Sequence, residues 1–112
     1  MIKKVAGVLI VSLMISAAGI GVLTEKVAAA EKSGEALFKQ FCAACHPDGG
    51  NLISPLMTLK KSDMYANHVV NEDHIVKIMR DPGTGMTKFD EKTISNDDAK
   101  AIAKYIRSAF GK

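Results

Sequence analysis

The sequence predicts a small all-α domain behind a separate N-terminal segment. Apolar residues recur at helical spacings in several stretches, and glycine and proline clusters interrupt those stretches. No stretch of any length alternates apolar and polar residues, as a half-buried strand would. The chain has 112 residues, so only one small domain remains beyond the N-terminal segment.

The first 30 residues have the three parts of a secretory signal peptide. The start is basic, residues 5–23 carry no charge, and Ala28 and Ala30 offer a cleavage site of small residues. We therefore expect cleavage after Ala30, which divides the chain into a signal peptide (1–30) and a mature domain (31–112). The alternative is an uncleaved membrane anchor, since a spanning helix needs roughly 17–25 apolar residues.

Removal of this segment changes the charge balance. The 15 basic and 12 acidic residues of the whole sequence become 12 and 11, because three lysines and one glutamate leave with it. The mature domain is therefore close to neutral, and no sustained basic run is interleaved with aromatic residues. Both features argue against a nucleic-acid partner.

The first predicted helix begins after Ser33, a suitable N-cap, and runs to Cys45. Pro47 and the following glycines are expected to end it. Its apolar face consists of residues at helical spacing: Leu37, Phe38, Phe41, Cys42 and Cys45.

Three further helices follow, separated by loops. Ser62 is expected to cap a short helix that ends near Asn67, and Asn71 begins another that runs to Arg80. A glycine-bearing loop comes next. Ser95 then caps the last helix, whose apolar stripe has the helical period. That stripe consists of Ala99, Ile102, Ala103, Ile106 and Phe110.

The segment Cys42-Ala43-Ala44-Cys45-His46 has the C-x-x-C-H spacing of covalent haem attachment. Cysteines at this spacing on a helix point the same way, so both thiols can reach the two vinyl groups along one haem edge. The adjacent histidine can then bind the iron. A domain this small buries only about 60% of its unfolded surface, and a bound haem would enlarge its core.

Three other interpretations of the two cysteines are weaker. A thioredoxin-like redox pair needs a βαβ setting, and no strand is predicted before Cys42. A zinc site needs a second pair of cysteine or histidine ligands, which does not follow in the sequence. A simple disulfide is compatible with export but leaves His46 unexplained.

Several side chains are candidates for the sixth iron ligand. Met79 lies among apolar helix positions and is interpreted as core, whereas Met57 and Met64 fit packing roles. His68 and His74 lie on polar stretches and are interpreted as surface residues, although either, together with His46, would give a bis-histidine haem. Met86 is favoured because its loop carries glycines, which let the backbone approach a large ligand closely. The complete set is Met57, Met64, Met79, Met86, His68 and His74.

Other short motifs accompany the pentapeptide along essentially the whole mature chain. They are Gly34-x-x-x-Phe38, Gly49-Gly50-Asn51, Pro55, Thr58-Leu59-Lys60-Lys61, Gly83-Thr84-Gly85-Met86 and Ala103-Lys104-Tyr105-Ile106. Together they resemble a monohaem class I c-type cytochrome of the cytochrome c6/c553 type. The resemblance implies the small cytochrome c fold, with about four helices and loops wrapped around one covalently bound haem c.

The resemblance also implies roles for individual residues. Cys42 and Cys45 would form the haem thioethers, and His46 and Met86 would be the proximal and distal axial ligands of the iron. The carbonyl of Pro55 would accept the ring N–H of His46 and so orient it.

The resemblance also implies how two helices pack, and the sequence differs from the family at the residue after Met86. The first and last helices would cross where Gly34 lies beside Phe38 and Tyr105. Thr87 follows the methionine where the c6 type usually has proline. Threonine lacks the fixed φ of proline, so the resemblance implies a less rigid ligand loop.

The function that the resemblance implies is one-electron transfer by the Fe2+/Fe3+ couple of the haem, without substrate turnover. The alternative is a haem-based enzyme, or a gas or redox sensor, with a labile sixth ligand. The expected partners are other redox proteins in transient complexes, and the chain itself is expected to be a monomer. The signal peptide predicts a periplasmic protein with no stable membrane insertion after cleavage; a thylakoid lumen or a membrane-anchored form is the alternative.

Overall fold

The computed structural model describes residues 32–112, which form an all-helical domain. The predicted signal peptide (1–30) and its cleavage site lie outside these residues. The described part contains no strand, which confirms the all-α class, and none of its helices has the length and apolar content to cross a membrane. The helices are α1 (Gly34–Phe41), α2 (Lys61–Ala66), α3 (Glu72–Arg80) and α4 (Asn96–Phe110), with a 3-10 turn at Pro47–Gly49.

Side-chain caps fix the starts of three of these helices. Ser33, Asn71 and Ser95 each accept a hydrogen bond from a backbone N–H in the first turn of α1, α3 and α4. Such a cap satisfies an N–H that has no partner inside the helix. The predicted starts of these three helices are confirmed.

The start of α2 differs from the prediction. The helix begins at Lys61, one residue before Ser62, and its N-cap residue Lys60 makes no side-chain cap. The hydroxyl of Thr58 accepts the N–H of Lys60 and donates to the carboxylate of Asp63. The side chains of Thr58 and Asp63 therefore fix this helix start, in place of the expected cap Ser62.

The core lies where α1 and α3 pack on α4. A Cβ atom at Gly34 would overlap the carbonyl of Ala101 and lie 3.1 Å from Cβ of Tyr105, so only glycine allows this approach. The rings of Phe38 and Tyr105 pack beside it, with centroids 5.3 Å apart. The predicted crossing of the first and last helices is confirmed. The largest fully buried side chains are Leu37, Ile94 and Ile102.

Helix α1 ends at Phe41, four residues earlier than predicted. The N–H groups of Cys42 and Ala43 both donate to the carbonyl of Phe38, so the second bond spans five residues and widens the helix. The N–H groups of Cys45 and His46 then both donate to the carbonyl of Cys42. The cysteine motif therefore lies on a turn beyond the helix. We call residues 42–46 the attachment turn.

The turn that terminates α2 contains a residue with left-handed backbone geometry. His68 has φ 62°, its N–H donates to the Tyr65 carbonyl, and the N–H of Val69 donates to the Met64 carbonyl. This pair of bonds is the Schellman motif, in which the left-handed position is usually glycine. A histidine there retains the steric cost that glycine avoids.

Replacing His68 by glycine is expected to raise the free energy of unfolding by about 1 kcal/mol, because the left-handed conformation then costs less. Urea unfolding of the haem-bound protein measures the change. The control is His68→Ala, which keeps a Cβ and is expected to give no gain. An equal gain from both substitutions would show that the histidine side chain, rather than its backbone geometry, is unfavourable.

Candidate functional site

The attachment turn presents two free thiols and an imidazole. No disulfide joins Cys42 and Cys45, of which the first is half-buried and the second exposed. Burial, with a smaller contribution from neighbouring Cys45, raises the pKa of the Cys42 thiol to about 11. Cys42 therefore carries its proton at neutral pH and presents a neutral thiol.

The imidazole of His46 is oriented by the chain that follows it. Its Nδ1 lies 2.8 Å from the carbonyl oxygen of Gly50. Because a carbonyl only accepts, Nδ1 carries the hydrogen in this pair and Nε2 is left with a free lone pair for a metal. The resemblance implied Pro55 as the acceptor, and this structure has Gly50 there. The left-handed φ of 78° at Gly49 turns the chain back toward the imidazole.

Residues 50–57, which we call the apolar loop, are organised around Asn51. The side-chain oxygen of Asn51 accepts the N–H groups of Ile53 and Ser54 at 2.9 and 2.8 Å. Its amide nitrogen donates to the carbonyl of Met57 at 2.9 Å. The N–H of Leu52 donates to Cys45, which ties the loop to the attachment turn. From the sequence, Asn51 was identified only as part of the Gly49-Gly50-Asn51 motif, although asparagine after two glycines indicates such a turn.

The apolar loop leaves large side chains uncovered. Leu52 is 70% exposed, Ile53 60%, Leu56 82% and Met57 55%. A small domain rarely exposes so many neighbouring apolar groups unless a ligand or partner covers them. The loop is joined to the two thiols and the imidazole, so the surface fits a flat apolar cofactor attached through the cysteines.

Residues 81–88, which we call the methionine loop, meet the apolar loop at Gly85. This glycine has φ 96°, and a Cβ atom on it would lie 3.3 Å from Cγ2 of Ile53. The neighbouring Met86 is half-buried and packs against the core. On the other side, the ring of Phe89 meets that of Phe41 at the end of α1. The fold thus brings the loop of Met86 to the apolar surface beside the attachment turn.

The other candidate ligands are placed differently. Met64 and Met79 are 6% and 3% exposed and belong to the core, as predicted for Met79. Nδ1 of His74 accepts the N–H of Val70 at 3.3 Å, which occupies that nitrogen. His68 is exposed at the end of α2. Apart from Met86, Met57 is the methionine among the candidates that lies near the attachment turn, because it belongs to the apolar loop.

Comparison with known proteins identifies the family of the chain. The family model for subunit III of cbb3-type cytochrome c oxidase matches residues 29–106. Cytochrome c6 of Cyanidium caldarium is 34% identical over 79 residues, which are 70% of this chain and 71% of that protein. Cytochrome c6 of Bumilleriopsis filiformis is 34% identical over 77 residues, 69% of this chain and 88% of that one. The chain belongs to the class I c-type cytochromes and is c6-like.

Solved structures support the same family. The outer membrane cytochrome F (OmcF) of Geobacter sulfurreducens is 37% identical, with a TM-score of 0.68, over 70% of this chain and 99% of that one. Cytochrome c6C of Synechococcus sp. PCC 7002 is 25% identical, with a TM-score of 0.64, over 69% and 93% of the two chains. The cytochrome therefore carries one covalently bound haem c and is an electron-transfer protein rather than an enzyme.

The far end of the methionine loop is fixed by a turn at Asp90. One carboxylate oxygen of Asp90 accepts the N–H groups of Thr93 and Lys92, at 2.8 and 3.1 Å. The bonds from Thr93 come first among the causes that lower the pKa of Asp90 below its ordinary value of 3.8. Because folding favours the carboxylate, Asp90 stabilises the fold above pH 3.8 and loses this effect as the pH falls through its lowered pKa.

Asp90→Asn is therefore expected to lower the thermal midpoint at pH 7, because the neutral amide accepts these hydrogen bonds more weakly. The difference from wild type should shrink as the pH falls below 3.8. Thermal unfolding across this pH range measures it, with Glu91→Gln as the control for loss of a neighbouring charge. A difference that does not change with pH would rule out the carboxylate as its source.

Proposed function

We propose that this cytochrome is a one-electron carrier that works outside the cytoplasmic membrane. Cys42 and Cys45 form the haem thioethers, and His46 and Met86 are the axial ligands of the iron. The haem supplies a single Fe2+/Fe3+ couple. The observation that carries the proposal is the convergence of the attachment turn and the methionine loop on one uncovered apolar surface.

Met86 is the best-supported distal ligand. Its rivals Met64 and Met79 are committed to the core, and Nδ1 of His74 holds a backbone N–H. A thioether is a soft ligand that favours the reduced iron, so histidine–methionine ligation raises the reduction potential relative to two histidines. Two filled axial positions leave no open site for a substrate.

The proximal histidine is oriented by a backbone carbonyl. The N–H of its ring is satisfied by Gly50 in this structure, and Pro55 lies on the same loop. Either carbonyl fixes the ring tautomer and raises the basicity of the metal-binding nitrogen. We propose that the carbonyls of this loop, including that of Pro55, serve this orienting role.

The apolar loop also supports the proposed mode of partner recognition. The part of the apolar loop that the haem leaves uncovered would suit brief contacts of small area, as redox proteins make. The near-neutral mature domain gives little long-range steering. We therefore propose transient complexes with other redox proteins by a monomeric carrier.

Location follows from the N-terminal segment. The match to the family model begins at residue 29, next to the predicted cleavage site after Ala30. We propose that residues 1–30 direct export and are removed, which leaves the domain 31–112 in the periplasm.

The mass of the exported protein tests this division. We expect the mass of residues 31–112 plus one haem, because the small residues at the cleavage site suit removal of the segment. Mass spectrometry of purified, haem-bound protein measures it. A mass that retains residues 1–30 would establish the uncleaved anchor instead.

Met86→Ala is expected to abolish the ferric sulfur-to-iron absorption band and to open the ferrous iron to carbon monoxide. The reason is that alanine provides no sixth ligand. Absorption spectra with and without carbon monoxide measure both effects, and Met57→Ala is the matched control that should keep the wild-type spectra. Survival of the band in Met86→Ala would remove this residue from the site.

The binding of carbon monoxide to the reduced wild-type protein also distinguishes the electron carrier from the alternative function. Thr87 favours the alternative of a haem-based sensor or enzyme, because the residue after Met86 lacks the rigidity of proline. Slow or absent binding of carbon monoxide to the wild type keeps the carrier. Prompt binding would favour a sensor with a labile ligand.

A further inference from the structure

The base of the methionine loop is closed by hydrogen bonds on both sides of Phe89. The N–H of Phe89 donates to the carbonyl of Met79 in the last turn of α3, at 2.9 Å. The carbonyl of Phe89 accepts from Nη1 of Arg80 at 3.1 Å. The two ends of the loop that carries Met86 are therefore joined.

Arg80 also reaches a third element. Its Nη2 donates to the side-chain oxygen of Asn96, the first residue of α4, at 2.9 Å. One planar guanidinium thus bridges the end of α3, the segment after the loop and the start of α4. The rigid fork of arginine suits two such bonds at once, whereas the point charge of lysine does not.

The loop itself has little internal support. Among the described residues, the backbone of residues 82–88 forms only a turn at Thr84 and Gly85, and no side chain of this segment makes a hydrogen bond. Thr87 stands where a proline would stiffen the chain. The position of Met86 is therefore set by the closed base, by the close approach of Gly85 to Ile53 and by the packing of Met86 against the core.

We propose that Arg80 is a positioning residue for the axial bond of Met86. By holding the base of the loop, Arg80 restricts the positions open to the methionine and so lowers the entropy cost of keeping its sulfur on the iron. This inference rests on the proposed function, in which Met86 is the distal ligand. Arg80, which lies outside the haem-binding motifs, would then control how readily the sixth coordination position of the iron opens.

A role in ligation predicts an effect that a general role in stability does not. The ferric iron holds a thioether less firmly than the ferrous iron does, so an added ligand competes with Met86 in the ferric protein. Imidazole is a suitable probe, because its affinity measures the free energy needed to release Met86. The measurement uses the native, haem-bound protein well below its unfolding temperature.

Arg80→Met is expected to raise the affinity of the ferric protein for imidazole by about tenfold, the scale of losing one charged hydrogen bond. Arg80→Lys should give a smaller increase, because one of the two bonds can remain. The matched control is Arg107→Met, since the Arg107 side chain is exposed on α4 and contributes no hydrogen bond in the described part of the chain. This control should keep the wild-type affinity.

A double substitution identifies the route of the effect. In Met86→Ala there is no axial sulfur to release, so adding Arg80→Met should leave the imidazole affinity unchanged. A further tenfold rise in the double variant would mean that Arg80 shapes the haem surroundings without acting through Met86, and would overturn the proposal.

The remaining outcomes are also decisive. If Arg80→Met lowers the unfolding midpoint but leaves imidazole affinity at the wild-type value, Arg80 is structural only and the proposal fails while Met86 ligation stands. If the wild type binds imidazole as tightly as Met86→Ala, the axial role of Met86 fails and the proposal fails with it. Should Arg80→Met not fold, Asn96→Ala removes the second bond alone, and its affinity must still exceed that of wild type.

Discussion

The close approach of α1 and α4 at Gly34 sets the position of nearly everything else in this cytochrome. It places the end of α1 against the aromatic residues near the end of α4, where Phe38 meets Tyr105 and Phe110. The attachment turn begins directly after that end, so the helix crossing determines where the thiols and the imidazole lie. A side chain at Gly34 would separate the helices, and the loss would spread to the site because the two are one packing unit.

The haem is best understood as part of the core. The buried residues form a compact set between α1, α3 and α4, while the apolar loop exposes its largest side chains. A domain of this size has little apolar surface to bury, and covalent attachment adds a large apolar group at no cost in binding entropy once it is made. The same surface that stabilises the fold then carries the redox chemistry.

The attachment turn and the methionine loop are held by different means. On the histidine side, the attachment turn, the bond to Gly50 and the network of Asn51 connect nearly every residue to a neighbour. The methionine loop is held at its base, at Gly85 and by the packing of Met86 on the core, and between these points it has only the turn at Thr84 and Gly85. Local unfolding free energy follows such differences in contact, so we expect the methionine loop to open before the attachment turn. That asymmetry fits the proposal that Met86 is the distal ligand, because the haem would stay attached while the bond to Met86 could be released.

The sequence by itself determined the helix starts at Ser33, Asn71 and Ser95, the all-α class and the haem-binding motif, because each depends on neighbouring residues. It predicted the core role of Met79 from helical spacing alone. From the sequence, α1 was expected to end at Cys45, four residues beyond its actual end. The apolar spacing continues to Cys45, but the N–H of Ala43 bonds to the carbonyl of Phe38, five residues earlier, and this bond interrupts the regular helix. Only the tertiary structure showed the partner of His46, the contact of Gly85 with Ile53 and the bridge made by Arg80. The bonds of Arg80 span 9 and 16 residues, and no local preference encodes a contact that exists only once α3 and α4 have packed.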